Sequence, residues 1–488
     1  VTVNFNEIAP TTRTPFVFVE FDATRAAQGL QAQPYQHLLI GQKRTGAGTV
    51  AALTLVRLLS KDQASQFFGA GSQLAQMAAA HFANNLETPT WAIAVADPSG
   101  TAATGTYAFS GSATENATFA AYVGGKRYPV SVTIGESTTA IASALAAAIN
   151  ADTSCAVTAS SSLGTVTLTA RNVGVLGNDV DLRDSYQDGE ARPAGLGVTV
   201  TAMSGGTGDV DLSGVWPKLG DVWFNLITFA ATDATNLTGI EAELDSRASA
   251  GRHVDAYAIV SKAGDFSTVS TLGNQRNAKR CAIIPNSKSP TTPWEFAAMA
   301  AAQVSGSAQI DQALPFQTLP LVGALAPATS DRWTQAQRNS LLYSGISTFT
   351  VAADGTCQLE RVIGTYKTNP QGASDPAYLD ANTPLVLSRL RWDFTNLMAS
   401  RYGRVKVADD DTRFAGGQSI VTPSLVKAEI LSLFGQWEAL GLVEDVDQFK
   451  NDLIVERNAS DPSRMDVYMP PNLVNGLRVL AAKIGFIL

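Results

Sequence analysis

The sequence predicts an α/β core, a mixed and mostly parallel sheet with flanking helices, joined to an inserted mostly-β domain and an α+β C-terminal domain with extended terminal arms. Three observations predict it. Apolar runs alternate with capped helical segments over 21–97 and again over 206–370, as helices crossing over a parallel sheet require. Residues 98–205 are instead rich in Ser, Thr, Ala and Gly and alternate with period two. Residues 371–470 carry long helices with Thr, Pro and Gly at their ends, and 471–488 close as a strand-like arm. A chain of 488 residues has room for about three such domains.

Residues 1–20 read as an extended arm, because Val1, Val3 and Phe5 alternate with polar residues before two prolines. HLLIGQ (37–42) and TWAIAVA (90–96) are apolar strands. Between them Ser60 and Gln63 open one helix as a capping box. Ser72 caps a second, with Leu74, Met77, Ala78, His81 and Phe82 on one stripe. In the insert, YPVSVTI (128–134) and GTVTLTA (164–170) are antiparallel strands around an Ala-rich helix, 138–150. SGGTGD (204–209) is the return linker. VWFNLITFA (222–230), DAYAIV (255–260) and RCAIIP (280–285) continue the core, with Asp233 capping a helix through Ile240 and Leu244.

Thr334 and Gln337 make a capping box before Leu341 and Leu342. Thr383–Pro384 starts a helix with Leu390, Phe394, Leu397 and Met398 on one face, stopped by Gly403. Thr422–Pro423 starts another, with Leu425, Val426, Ile430, Leu433, Phe434 and Trp437 on one stripe, stopped by Gly441. In the closing stretch Ile484, Phe486 and Leu488 alternate, a strand open to pairing with another chain.

A net charge of −8 argues against nucleic acid as a partner, and 16 % charged against 45 % apolar residues suits a chain that buries surface against copies of itself. Cys155, Cys281 and Cys357 form no CxxC pair, so folding in a reducing cytoplasm is expected. No apolar run approaches the roughly 18–20 residues of a membrane span, and Val1–Pro15 lacks the layout of a signal peptide; a soluble, unexported protein is expected.

Chemistry-bearing patterns are sparse. His37, His81 and His253 fit no HExxH and have no Cys at metal-ligand spacing, and His81 reads as a core or interface residue. There is no GxSxG elbow, and Gly124-Gly125-Lys126-Arg127 is no phosphate loop. Gly46–Ala51 fits G-x-G-x-x-A, but the following TVAALTLVRLL is as good a strand as a helix, against a dinucleotide site. Asp409–Asp411 reads as a solvated turn, with a weak cation site as the alternative. Lys427 and Glu429 face solvent or a partner. No catalytic residue, cofactor or metal is expected.

Several stretches resemble one family, the tail sheath proteins of contractile phage tails in their Mu-like branch. They are SKDQASQFFGAGSQLAQMAAAHFANN (60–85), RNVGVLGNDVDLR (171–183), 333–380, 404–430 and 441–477. The resemblance runs in order over 1–97 and 206–488, less specifically over 98–205. DDDTR stands where DDGTR is expected, and Lys367 in GTYKTN reads as a surface change.

The resemblance implies a virion tail component made in the host cytoplasm late in infection. Copies stack as six-fold rings in a helical sheath around an inner tube protein, between baseplate and tail terminator proteins. Contraction drives the tube through the host envelope for genome ejection and penetration into the host cytoplasm. It implies a subtilisin-like fold for the sheath domain (206–370), without protease function since no Asp/His/Ser set is present. The insert would lie on the outer surface and 371–470 would face the tube. It further implies arms donated to neighbours, through Val1, Val3, Phe5, Ile484, Phe486 and Leu488. Lys427, with Arg478 and Lys483 behind it, is the expected tube contact. Neither direct nucleic-acid contact nor membrane insertion is implied. Another self-assembling shell or surface-lattice protein, the sheath of a headless phage-tail-like bacteriocin and a nucleotide-cofactor enzyme are the alternatives.

Overall fold

The computed structural model describes residue 17, residues 33–415 and residues 417–487; Val1, Val3, Phe5 and Leu488 lie outside the described residues. The chain divides into two compact units. Pro34–Arg391 with Leu473 onward form one, and Trp392–Asn472 belong to the other.

The larger unit begins with β1 (His37–Gln42), β2 (Leu55–Leu58), α1 (Lys61–Phe68), α2 (Gln73–Asn84) and β3 (Thr90–Val95). Every residue of β1 is buried, as in a strand covered on both faces. Ser60 and Ser72 cap α1 and α2 by accepting from the amides of Gln63 and Ala75. The Gln63 side chain returns its bond to the Leu59 amide (2.7 Å), one residue short of the expected box. The glycine-rich loop after β1 leads to strand β2 rather than to a helix, so it lacks the helix N-terminus that a dinucleotide site uses. Gly48 serves packing: a Cβ there would lie 2.3 Å from the Phe67 carbonyl oxygen at the end of α1.

Next come β4 (Thr104–Gly111), β5 (Ala117–Val123), β6 (Lys126–Val132), α3 (Thr138–Ala151), β7 (Val157–Ser162), β8 (Thr165–Ala170), β9 (Leu182–Asp184) and β10 (Leu196–Ser204). They form antiparallel sheets ordered β10-β4-β8-β7 and β6-β5-β9. The Tyr107 hydroxyl bridges the two sheets, 2.7 Å and 2.9 Å from the carbonyls of Tyr122 and Arg183. Residues 204–209 are fastened, not loose. The Asn178 side chain donates to the Gly206 carbonyl (3.0 Å) and accepts from its amide (2.8 Å), while the Thr207 amide donates to the Thr101 carbonyl (3.1 Å). Asn172 donates to the Lys43 carbonyl and Asp97 and accepts from the Gln73 amide, which starts α2. Asn172, within 171–183, is therefore a clasp onto the core.

The chain returns through α4 (Trp216–Leu219), β11 (Leu226–Thr228), α5 (Ala234–Arg247), β12 (Tyr257–Lys262), α6 (Phe266–Asn274), β13 (Cys281–Pro285) and α7 (Pro293–Ile310). The main sheet is ordered β13-β12-β11-β1-β3-β2, parallel except at the β2 edge. α7 is not expected from periodicity, although Thr292–Pro293 marks its start. It is buried on most sides, so it has no amphipathic stripe to detect. Trp294 Nε1 ties it to α2 by donating to Gln76 Oε1 at 2.9 Å.

Then follow α8 (Gln335–Tyr343), with its capping box formed, the hairpin β14 (Thr348–Val351) and β15 (Cys357–Arg361), and α9 (Asn382–Tyr402). α9 begins one residue before Thr383, which is therefore not its cap. Lys367 is no surface change. Its ammonium donates to the carbonyls of Gly273 (2.6 Å) and Arg276 (2.7 Å), closing the end of α6. Burial pulls its pKa down.

In the smaller unit, helix Pro423–Ala439 buries Val426, Ile430, Leu433, Phe434 and Trp437, while Leu425 is 44 % exposed, off the predicted stripe. Phe434 stacks on Phe449 at 4.2 Å, and Trp437 Nε1 donates to Asp393 Oδ2 at 3.0 Å. Thr422 makes no side-chain cap. Asp410 takes that place: its Oδ1 accepts from the Ser424 amide (3.0 Å) and hydroxyl (2.5 Å), which hold its carboxyl below the usual carboxylate range. Asp409 pairs with Arg457 at 3.0 Å. Two members of the acidic run thus have structural partners where a solvated turn was expected.

The core of the larger unit holds an ordered polar chain. The Thr90 hydroxyl donates to the Thr88 carbonyl, so it must accept from His81 Nε2 (2.7 Å). His81 Nδ1 then accepts from His37 Nδ1 (3.1 Å), and His37 Nε2 accepts from the Thr228 hydroxyl (2.8 Å). This bookkeeping assigns each tautomer and requires both rings neutral. Burial pushes His81 down to about 3, and burial with the neighbouring ring pushes His37 well below its ordinary value. An unfolded histidine binds its proton below about pH 6.5, so acid favours the unfolded chain by up to about 1.4 kcal/mol per pH unit per histidine. Urea unfolding of the unassembled subunit at pH 7.5 and pH 5 should show lower stability at pH 5. The double variant His37→Gln, His81→Gln should flatten that dependence.

Candidate subunit interface

Residues 474–487 leave the larger unit without secondary structure, and among the described residues they make no backbone–backbone hydrogen bond. Leu477, Val479, Leu480, Ile484, Phe486 and Ile487 are all large, apolar and between 68 % and 100 % exposed. Isolated exposed apolar residues are ordinary, but a run of them on such backbone makes this segment the candidate interface. Each backbone bond formed there would contribute about 0.5–1.5 kcal/mol net. Fully covering each large side chain would contribute about 1.5–3 kcal/mol before ordering costs.

Ile484 and Phe486, expected in the arm, are 89 % and 81 % exposed. Among the described residues of this segment no strand is formed. Leu477, Val479, Leu480 and Ile487 belong to the same segment but escaped a search for strict alternation.

The residues expected at the tube are not alike. Lys427 is partly buried, and its ammonium donates to the Leu453 carbonyl at 2.9 Å. Lys483 is exposed. Arg478 has a task at home: its side chain is only 16 % exposed and meets Asp380 at 3.1 Å and Asn382 at 2.8 Å. Asp380 also accepts both arms of Arg361, at 3.0 Å and 2.9 Å.

The cysteines are buried, and burial raises all three thiols, Cys357 to about 12, which keeps them in the un-ionised form. Among the described residues no group of three or more His, Cys, Asp and Glu side chains is placed to hold a metal ion, and no helix is long and apolar enough to cross a membrane.

Residues 205–365 match the phage tail sheath protein central domain, and residues 373–487 match the phage tail sheath C-terminal domain. The chain is 38 % identical over 489 aligned residues to the Mu-like prophage FluMu tail sheath protein of Haemophilus influenzae, covering the whole of both chains. Its fold is similar to a chain of the anti-feeding prophage helical sheath in the contracted state (TM-score 0.50, 11 % identity, 97 % of this chain and 99 % of that one). It is similar as well to a chain of the anti-feeding prophage baseplate (TM-score 0.50, 11 % identity, 98 % and 100 %).

Exposure sets an order of attack. Limited trypsin digestion of the unassembled subunit should cut after Lys483 before it cuts after Arg478, as read by intact mass. Simultaneous cleavage at both would contradict the described pairing of Arg478.

Proposed function

This chain belongs to the phage tail sheath family and is a structural subunit of a contractile tail sheath, and from that premise we propose how copies of it build and work the sheath. Subunits stack as six-fold rings around an inner tube protein, and the rings wind into a helix between the baseplate and tail terminator proteins. The full-length identity to a tail sheath protein carries this reading. A contracted helical sheath and a six-fold symmetrised baseplate, the assemblies named for the two solved relatives, support it.

Both arms are donated to sheets of neighbouring subunits, Val1, Val3 and Phe5 at one end and Ile484, Phe486 and Leu488 at the other. Such a contact is heterologous and does not close on itself, which is what a filament needs. A few backbone bonds per arm keep subunits tethered while their bodies slide. Contraction needs no nucleotide: the extended lattice is metastable, and shortening adds contacts between bodies. The tube is driven through the host envelope and the genome follows, from a particle assembled in the host cytoplasm. Lys427 and Lys483 are the proposed tube contacts. The division at 20, 97, 205, 370 and 470 belongs to this reading, as do a subtilisin-like central region, an insert on the outer surface and a chain without catalysis, cofactor or nucleic-acid contact. The parallel main sheet and the separate antiparallel sheets of 104–204 support it.

Negative-stain microscopy of the purified protein should show striated hollow tubes; closed shells or flat lattices would overturn the reading. Deleting residues 1–10 should leave a soluble, folded subunit that no longer polymerises, measured by circular dichroism and sedimentation.

A further inference from the structure

We propose that Arg478 is the anchor of the C-terminal arm, the residue that holds its root on its own subunit while residues beyond it engage a neighbour. This rests on the arm reading above and assigns a positioning residue within it.

The boundary between fastened and free chain falls at this residue. Before it, Gly476 packs so closely on Pro315 that a Cβ would come within 2.6 Å of that ring. After it, every described residue from Val479 to Ile487 is exposed. The seat of the guanidinium is itself braced. Asn382 accepts from Arg478, and its amide donates to the carbonyls of Gln312 and Leu314, each at 2.8 Å. Asp380 is gripped by both arms of Arg361. Load arriving along the arm therefore passes through Arg478 into the start of α9 and the end of β15.

The charge count separates this role from simple fold stability. Two guanidiniums share one carboxylate, and Arg478 Nη1 is buried with no acceptor among the described residues. Truncating Arg478 leaves Asp380 still paired with Arg361, so no carboxylate is orphaned. The subunit should survive the loss, but the arm should not stay rooted. A longer free segment lowers the effective concentration of its tip at the neighbouring sheet.

The test compares the full chain with Arg478→Ala, Arg478→Lys and a deletion of 479–488, by melting temperature of the subunit and critical concentration of tube assembly. Arg478→Ala should melt within about 3 °C of the parent. Its critical concentration should rise about twofold, and Arg478→Lys should recover part of that loss. Parent-like assembly by Arg478→Ala, with assembly abolished by the deletion, would overturn the anchor and leave arm donation standing. Normal tubes from the deletion would overturn arm donation itself. An Arg478→Ala subunit that is unfolded or melts far lower would also overturn the anchor, because the proposal requires Arg361 to suffice for Asp380.

Discussion

Backbone that finds no hydrogen-bond partner at home is the constraint on which the rest depends. Residues 474–487 present donors and acceptors along an apolar stretch, and among the described residues no backbone group pairs with them. Natural proteins suppress open strands because they polymerise. Here the liability is retained, and the proposed arm donation would turn it to assembly. The remainder of the larger unit is correspondingly firm: a parallel sheet covered on both faces, with the chain fastened again immediately before the free segment.

That firmness is built from polar as well as apolar contacts. The chain from Thr228 through His37 and His81 to Thr90 spans three strands and α2, and every proton in it has an assigned place. Such a network admits one arrangement only, which favours a unique packing over a fluid one. Asn85 does similar work between α2 and α7, donating to the Ala302 carbonyl and the Ser305 hydroxyl.

What was legible in the sequence is what local chemistry decides. β1, β3 and β8 appear within a residue or two of their expected bounds because apolar alternation and turn residues act over a few positions. The Ser60, Ser72, Asp233 and Thr334 caps follow for the same reason. What failed depends on chain segments meeting in space. Asp410 caps a helix fourteen residues away, a partnership no spacing rule announces. Lys367 closes a helix that ended more than ninety residues earlier. Of the candidate interface, Ile484 and Phe486 are suggested by alternation, whereas Leu477, Val479 and Leu480 follow no period, and the described residues of the segment form no element that would impose one. Arg478 reads from the sequence as a tube contact; its pairing with Asp380 and Asn382 is hidden there because those partners come from another part of the chain.

The clasp formed by Thr101, Asn178 and residues 204–209 brings the two ends of a hundred-residue excursion side by side. The excursion leaves and returns at one spot and touches the core again at Asn172. Closing a loop grows costlier only with the logarithm of its length. Turns of the excursion that touch nothing else can therefore be lengthened without disturbing that closure, whereas the stretch at Asn172, held on Lys43 and on the Gln73 amide, has to stay.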